Sequence, residues 1–224
     1  MAVIVVGVDC VAAGTGKCYT RELIEIAEEY VVPLTWFLTV SPREPMGTTS
    51  LYYNEFLHRI PAWHELSVRL DLSNGGNIGD PQQRRDAVRL GKEMLKQCHV
   101  KPVSCRLAGS ALLSSDITNL EDAAFVVAVA NVPARAHAPL QPYHPAYEDP
   151  SANGDAKLLV VNQPGLDLSR PWEEVRAGLD EARLARGVLL LVTRDDRDIT
   201  ADLRRALEHI APARPQTLTA AATA

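Results

Sequence analysis

The chain has 224 residues, 46% of them hydrophobic, a formal net charge of −5 and four cysteines. That is enough for one α/β domain with a full core, and the acidic balance excludes a basic face for nucleic acid. No run reaches the ~18 apolar residues of a membrane span.

The N-terminal stretch A-V-I-V-V-G-V-D is a continuous apolar run ending in Asp9. It lacks a basic lead and a small-residue cleavage site, so it reads as a first buried strand, and a cytoplasmic location follows. After a Gly-containing loop (11–17), residues 19–31 carry Leu23, Ile26, Ala27 and Tyr30 at helical spacing, with Thr20 as N-cap. Residues 33–40 form the second strand. A loop (41–49) and a short helix (51–60) follow.

Residues 63–72 form the third strand. Here Leu66, Val68, Leu70 and Leu72 alternate with Ser67, Arg69 and Asp71, and Ser73 continues the polar face. Because strands and helices alternate along the chain, the sheet is expected to be parallel and covered on both faces. The charged face of this strand then belongs in a polar cavity. A flexible loop (73–80) leads to a helix that starts at Asp80 and Pro81 and runs to about Cys98. Its buried side is read as Ala87, Val88, Leu90, Gly91, Met94 and Leu95.

Residues 103–109 form a fourth strand and 114–124 a short helix capped by Ser114 or Ser115. Residues 125–132 form a fifth strand. The irregular, proline-containing segment 133–156 is of the length found in binding loops and lids. A sixth strand (158–161), a helix (170–186), a seventh strand (188–192) and a last helix (199–210) complete the domain. The Ala-, Thr- and Pro-rich residues 212–224 are expected as a disordered tail. The reading is one domain, residues 1–211, with about seven strands in a barrel or an open doubly wound sheet. Either places its site beyond the C-terminal strand ends, where Asp9, Asp71, Ser73, Arg106, Asn131, Asn162, Thr193, Arg194 and Asp195 fall.

A Walker A loop is a poor fit to residues 7–18. Counting from Gly16 and Lys17, Val11 stands at the first glycine position and Cys18 at the hydroxyl position. The four cysteines form no C-x-x-C pair and read as structural thiols. His64 reads as the start of the third strand; His137 and His144 read as surface residues of the long loop. Ser67, Ser110 and Cys10 are nucleophiles only if a base lies beside them.

Several segments, in order, resemble the polysaccharide deacetylase family (the NodB-homology domain, carbohydrate esterase family 4). They are Val8-Asp9-Cys10, the run from Arg21 to Val40 with Thr35-Trp36-Phe37, and His64-Glu65-Leu66-Ser67-Val68-Arg69. Arg106-Leu107-Ala108-Gly109, Pro142-Tyr143-His144-Pro145 and Leu191-Val192-Thr193 complete the match. The resemblance implies a distorted (β/α) barrel of about seven parallel strands. It also implies metal-assisted removal of an acyl group by an Asp and two His ligands, a second Asp as base and a last His as acid. This chain departs from that set. Only Asp9 remains in the first motif; Arg69 stands for the first metal histidine, about Ser73 for the second, and Thr193 for the acid. A guanidinium cannot ligate a cation.

The expectation is a pocket without cofactor, with Asp9, Arg69 and Arg106 as catalytic residues. Asp71, Ser73, Asn131, Thr193 and Arg194 are expected to bind the substrate, a small polar, anionic intracellular metabolite. Asp9 and Asp71 are expected to hold Arg69, leaving Arg106 and Arg194 to face the ligand. One alternative is a metal-dependent deacetylase using Asp9, Asp71 and a loop histidine to hold zinc or a similar ion. Another is a catalytically inactive binding or partner protein. The expected partner is a small molecule, with neither nucleic acid nor membrane; self-association is left open.

Overall fold

The computed structural model describes residues 2–12, 18–39, 56–74, 77–78, 80–135, 140–162, 165–211 and 213–224. Its strands are β1 (Val3–Cys10), β2 (Leu34–Thr39), β3 (Glu65–Asp71), β4 (Ser73–Asn74), β5 (Asn77–Ile78), β6 (Ser104–Ala111), β7 (Val127–Asn131), β8 (Leu159–Asn162), β9 (Leu166–Asp167) and β10 (Val188–Arg194). The helices are α1 (Thr20–Tyr30), α2 (Pro81–Gln97), α3 (Ser114–Asp122), α4 (Trp172–Leu184), α5 (Thr200–Ile210) and α6 (Leu218–Thr223). Among the described residues no helix is long and apolar enough to cross a membrane.

Eight strands form one sheet in the order β8-β7-β6-β3-β2-β1-β10-β9, with every pairing parallel. Val127 and Val129 of β7 and Val161 of β8 cluster with Val188, Leu190 and Val192 of β10, although those strands lie towards opposite edges. The sheet therefore curls until its edges approach, which makes it a distorted (β/α) barrel. The intervening residues of β1, Ile4, Val6, Val8 and Cys10, join the larger core beneath the helices. This two-sided burial is why β1 and β10 read as unbroken apolar runs and not as alternating ones.

The register sorts the inner face. Asp9 lies opposite Phe37 and Arg194, Phe37 opposite Ser67, Thr39 opposite Arg69, and Arg69 opposite Arg106. Polar residues that one strand shows in sequence are thus carried round the inside of the barrel. Gly7 is part of that arrangement, since a Cβ there would lie 2.5 Å from a Phe37 ring carbon.

Several expectations need correction. The loop after β3 is a two-residue antiparallel hairpin, β4 with β5. Strand β9 was not anticipated. Helix α2 buries Arg84, Val88, Gly91 and Leu95, whereas Leu90 is exposed. Thr20 is the first helical residue of α1 and gives no cap, and Asp116, not a serine, accepts the Leu113 N–H at the start of α3. Of the expected helix at 51–60, Leu57–Arg59 form a 3₁₀ turn, and residues 51–55 lie outside the described residues.

Of the expected tail, residues 213–224 pack against the barrel. Gln216 bridges to Val5, and α6 buries Leu218, Ala221 and Ala222 against the inner valines of the barrel. Its first N–H groups are received by side chains at the N-terminal end of the barrel. Leu218 N–H donates to Thr35 Oγ1 at 3.0 Å and Thr219 N–H to Glu65 Oε2 at 2.9 Å. A carboxylate at a helix N-terminus also meets the positive end of the helix dipole. The helix packs across the floor of the barrel.

Candidate functional site

At the C-terminal strand ends a cavity of about 330 Å³ is lined by Asp9, Arg69, Arg106, Leu107, Ala108, Gly109, Ser110 and Asn131. β1, β3, β6 and β7 each contribute. The wall from Leu107 to Ser110 exists because β6 bulges. Its register with β7 passes from Arg106 opposite Val129 to Ala111 opposite Asn131, five residues against two. A bulge bends a strand and re-aims its side chains. Gly109 makes this one possible, with φ at +73°, where a side chain is strained.

The charged centre is Asp9, which is 8% exposed. One of its oxygens, Oδ2, accepts a hydrogen bond from an Arg106 terminal nitrogen and lies 3.7 Å from Arg69 Nε. Arg106 lies over the Phe37 ring, 5.6 Å from its centre. The other oxygen, Asp9 Oδ1, is buried without a hydrogen-bond partner among the described residues. So are Arg69 Nε, Ser110 Oγ, Thr39 Oγ1 and Ser67 Oγ. Buried polar atoms left unpaired are costly.

Asp9, Arg69, Arg106 and Asn131, all read from the sequence, are therefore brought together. The others are not. Asp71 is exposed at the end of β3 and does not line the cavity. Thr193 lies opposite Val8, on the helix side of the sheet. Arg194 shares the inner face with Asp9, but its guanidinium is taken by Asp196 at 2.9 and 2.5 Å. It is thus held two residues away and does not serve the cavity. Ser73 starts β4; its side chain lies outside the described residues, as do residues 13–17 of the first loop and His137.

Asn162 and Asp195 shape loops. Asn162 accepts from Val132 N–H and donates to Arg135 O. Asp195 Oδ1 accepts from Val11 and Ala12 N–H at 2.8 and 2.9 Å, fixing the chain as it leaves β1. Burial raises its carboxyl pKa against the lowering effect of those donors. Residues 136–139 of the long segment lie outside the described residues, and the rest is held by contacts to β8 and α3. Tyr143 pairs with Val160, and Glu121 of α3 accepts from Lys157 and Leu158 N–H.

The candidate nucleophiles fail on their surroundings. Cys10 belongs to the helix-side core, and burial pushes its thiol well above the usual range. Ser67 and Ser110 have no hydrogen bond to a base. His64 accepts from Trp36 Nε1 at 2.8 Å, and burial lowers its pKa to about 4, so it is a neutral core residue. All four cysteines are free thiols.

The donor set does not suit the metal that the deacetylase resemblance implies. Among the described residues no three His, Cys, Asp or Glu side chains gather as a metal site, and guanidinium groups stand beside Asp9 where further ligands would have to be.

Sequence inspection missed one functional support. Arg84 of α2 and Asp116 of α3 form a fully buried ion pair, Nε to Oδ1 at 2.8 Å. Arg84 also donates to Leu72 O and Ala111 O, the chain just beyond β3 and the end of β6. It ties together two of the strand ends that carry the site.

No protein-family model and no curated protein matches the sequence. Solved structures do. A Mycobacterium smegmatis protein assigned as a polysaccharide deacetylase superposes with a TM-score of 0.74 at 18% identity, over 99% of this chain and 90% of that one. A CE4 family pseudoenzyme from Bacillus anthracis gives 0.64 at 8% identity, over 99% and 66%. A family 4 carbohydrate esterase from Streptomyces lividans, in complex with acetate, gives 0.61 at 9%, over 96% and 91%. The chain thus has the fold of the polysaccharide deacetylases, the NodB-like (β/α) barrel, a fold that a family 4 carbohydrate esterase and a CE4 family pseudoenzyme share.

Proposed function

We propose that this chain uses the deacetylase barrel as a metal-free pocket for a small anionic metabolite. The observation that carries the reading is the charge at the centre of the cavity. One carboxylate, Asp9, is shared by two guanidinium groups, Arg69 and Arg106. Of the three charged lining residues among those described, two are positive and one negative. Arginine presents donors in a planar fork suited to carboxylate or phosphate, and burial strengthens the attraction. Asp9 serves as acid or base where the pocket carries out a reaction, with the two arginines stabilising negative charge as it develops. The Bacillus anthracis pseudoenzyme is a precedent for this fold without the usual chemistry.

Metal content and anion binding test the proposal together. The purified protein should contain no stoichiometric metal, keep its melting temperature on chelation, and be stabilised by small carboxylates. Arg69→Ala and Arg106→Ala should each weaken that binding about tenfold or more. One equivalent of zinc, nickel or cobalt, with loss of stability on chelation, would overturn the reading and restore metal-dependent deacetylation with substitute ligands.

A further inference from the structure

The end of the barrel opposite the cavity carries an apolar rim. Among the described residues seven large apolar side chains are exposed. Five of them, Val31, Trp63, Val103, Val126 and Leu184, lie in the segments that lead into β2, β3, β6, β7 and β10. Those strands are parallel, so the segments all meet at the N-terminal strand ends, around the floor helix α6. Single exposed apolar residues are ordinary, but five gathered at one end mark an interaction surface. Val31 adds strain to exposure. It stands just past α1 with φ at +54° and is 82% exposed. Glycine takes that conformation freely, and a β-branched residue does not. With the side chain in solvent, packing within the chain offers little to offset the cost, whereas contact with another molecule does.

We infer that this end is the interface of a homodimer, in which two copies of the chain meet floor to floor about a two-fold axis. The charges on the rim select the second copy as the occupant. The sheet order fixes their sequence around the rim: the segments before β7, β6, β3 and β2 follow one another, and those at β1 and β10 come next. The axis lies in the plane of the floor and passes between β3 and β2. It sets the segment before β3 on that before β2, and the segment before β7 on that before β10. Exposed Arg59 then faces exposed Glu28, with Trp63 against Val31. Exposed Asp122 faces exposed Arg186, with Val126 against Leu184. Among the described residues Glu28 and Arg186 have no ion pair, and the one printed for Asp122 is to Arg85 at 3.8 Å, on the surface. A self-complementary contact needs opposite charges at positions related by its axis, and this rim supplies them. A rim of one sign would suit a lipid surface or a nucleic acid; this one carries both signs in turn. The cavities, at the other end of each barrel, stay clear of the contact, so association does not depend on what they bind.

Analytical ultracentrifugation of the full chain, from about 1 μM to about 200 μM, is the test. A reversible monomer–dimer equilibrium is expected. Val31→Asp and Leu184→Asp change side chains that lie in solvent, so each should keep the wild-type melting temperature while weakening the dimer about tenfold or more. Arg186→Glu should weaken it too, by setting like charges face to face, and Arg186→Glu combined with Asp122→Arg should restore it. A single species of monomer mass at every concentration would overturn the proposal and leave the rim to a different protein. A dimer that keeps its strength in Val31→Asp and Leu184→Asp would show that the contact lies elsewhere. Failure of the charge swap to restore association would overturn the two-fold axis between β3 and β2.

Discussion

Single residues decide how the cavity is held. Gly7 has room for hydrogen only, because the Phe37 ring occupies the space where a Cβ would stand. That ring in turn underlies the Arg106 guanidinium. Gly7→Ala is therefore expected to destabilise the protein by about 1–3 kcal/mol through overpacking. It should also weaken anion binding, since the displaced ring moves Arg106 relative to Asp9. Denaturant unfolding and calorimetric titration of the same variant would check both halves. An unchanged unfolding midpoint would show that the ring yields without cost. At this scale the sequence was legible where a side chain's partner lies on a neighbouring strand at the same level. Arg69 and Arg106 are such residues, facing each other on β3 and β6, whereas Asp9 on β1 meets them across the inside of the barrel. It was not legible for Arg194. Nothing in the segment Thr193-Arg194-Asp195-Asp196 says which carboxylate takes the guanidinium, and a turn after β10 lets Asp196 reach it.

Between elements, the Arg84–Asp116 pair links α2 and α3 to the strand ends they follow. Both side chains are essentially without solvent contact, and their partners are the opposite charge and backbone groups. Removing one member leaves the other buried and uncompensated. Arg84→Met should cost about 3–5 kcal/mol, and adding Asp116→Leu should recover part of that loss. Recovery should be incomplete because Asp116 also accepts the Leu113 N–H at the start of α3. Chemical denaturation of the two single variants and the double variant gives the coupling directly. If the two single losses simply add up to that of the double variant, the pair is not a unit. An arginine at helical spacing with Val88, Gly91 and Leu95 was in principle a signal, but a charge on a helix usually lies in solvent, and its partner is 32 residues away. The seven main strands and five longer helices were legible because their apolar patterns are long. Strand β9 and helix α6 were not. Two residues cannot show alternation, and α6 has one large apolar side chain, Leu218, whose burial depends on a barrel floor assembled from distant strands.

For the molecule as a whole, the buried ring of His64 couples stability to pH. His64 lies between Trp36, whose indole N–H donates to its Nδ1, and Trp63, whose ring meets it edge-on at 4.2 Å between centres. Burial lowers its pKa from 6.5 to about 4. Above pH 6.5 the ring is neutral in both folded and unfolded chains, and the equilibrium is untouched. Between pH 6.5 and 4 the unfolded chain binds a proton that the folded protein refuses, so stability falls as pH falls across that window. The loss should reach about 2 kcal/mol once solvent screening at the ring edge is allowed for. Asp195 acts with the opposite sign. Its raised pKa means that the folded protein takes up a proton before the unfolded chain does, which adds stability as pH falls. The two contributions separate in His64→Gln, which removes the titrating ring and keeps an acceptor for Trp36. Wild type should lose more unfolding free energy than this variant between pH 7 and 4, with the curves parallel above pH 7. Equal slopes throughout would mean that the ring takes up its proton within the folded barrel, and that the Trp36–His64 contact does not hold it neutral.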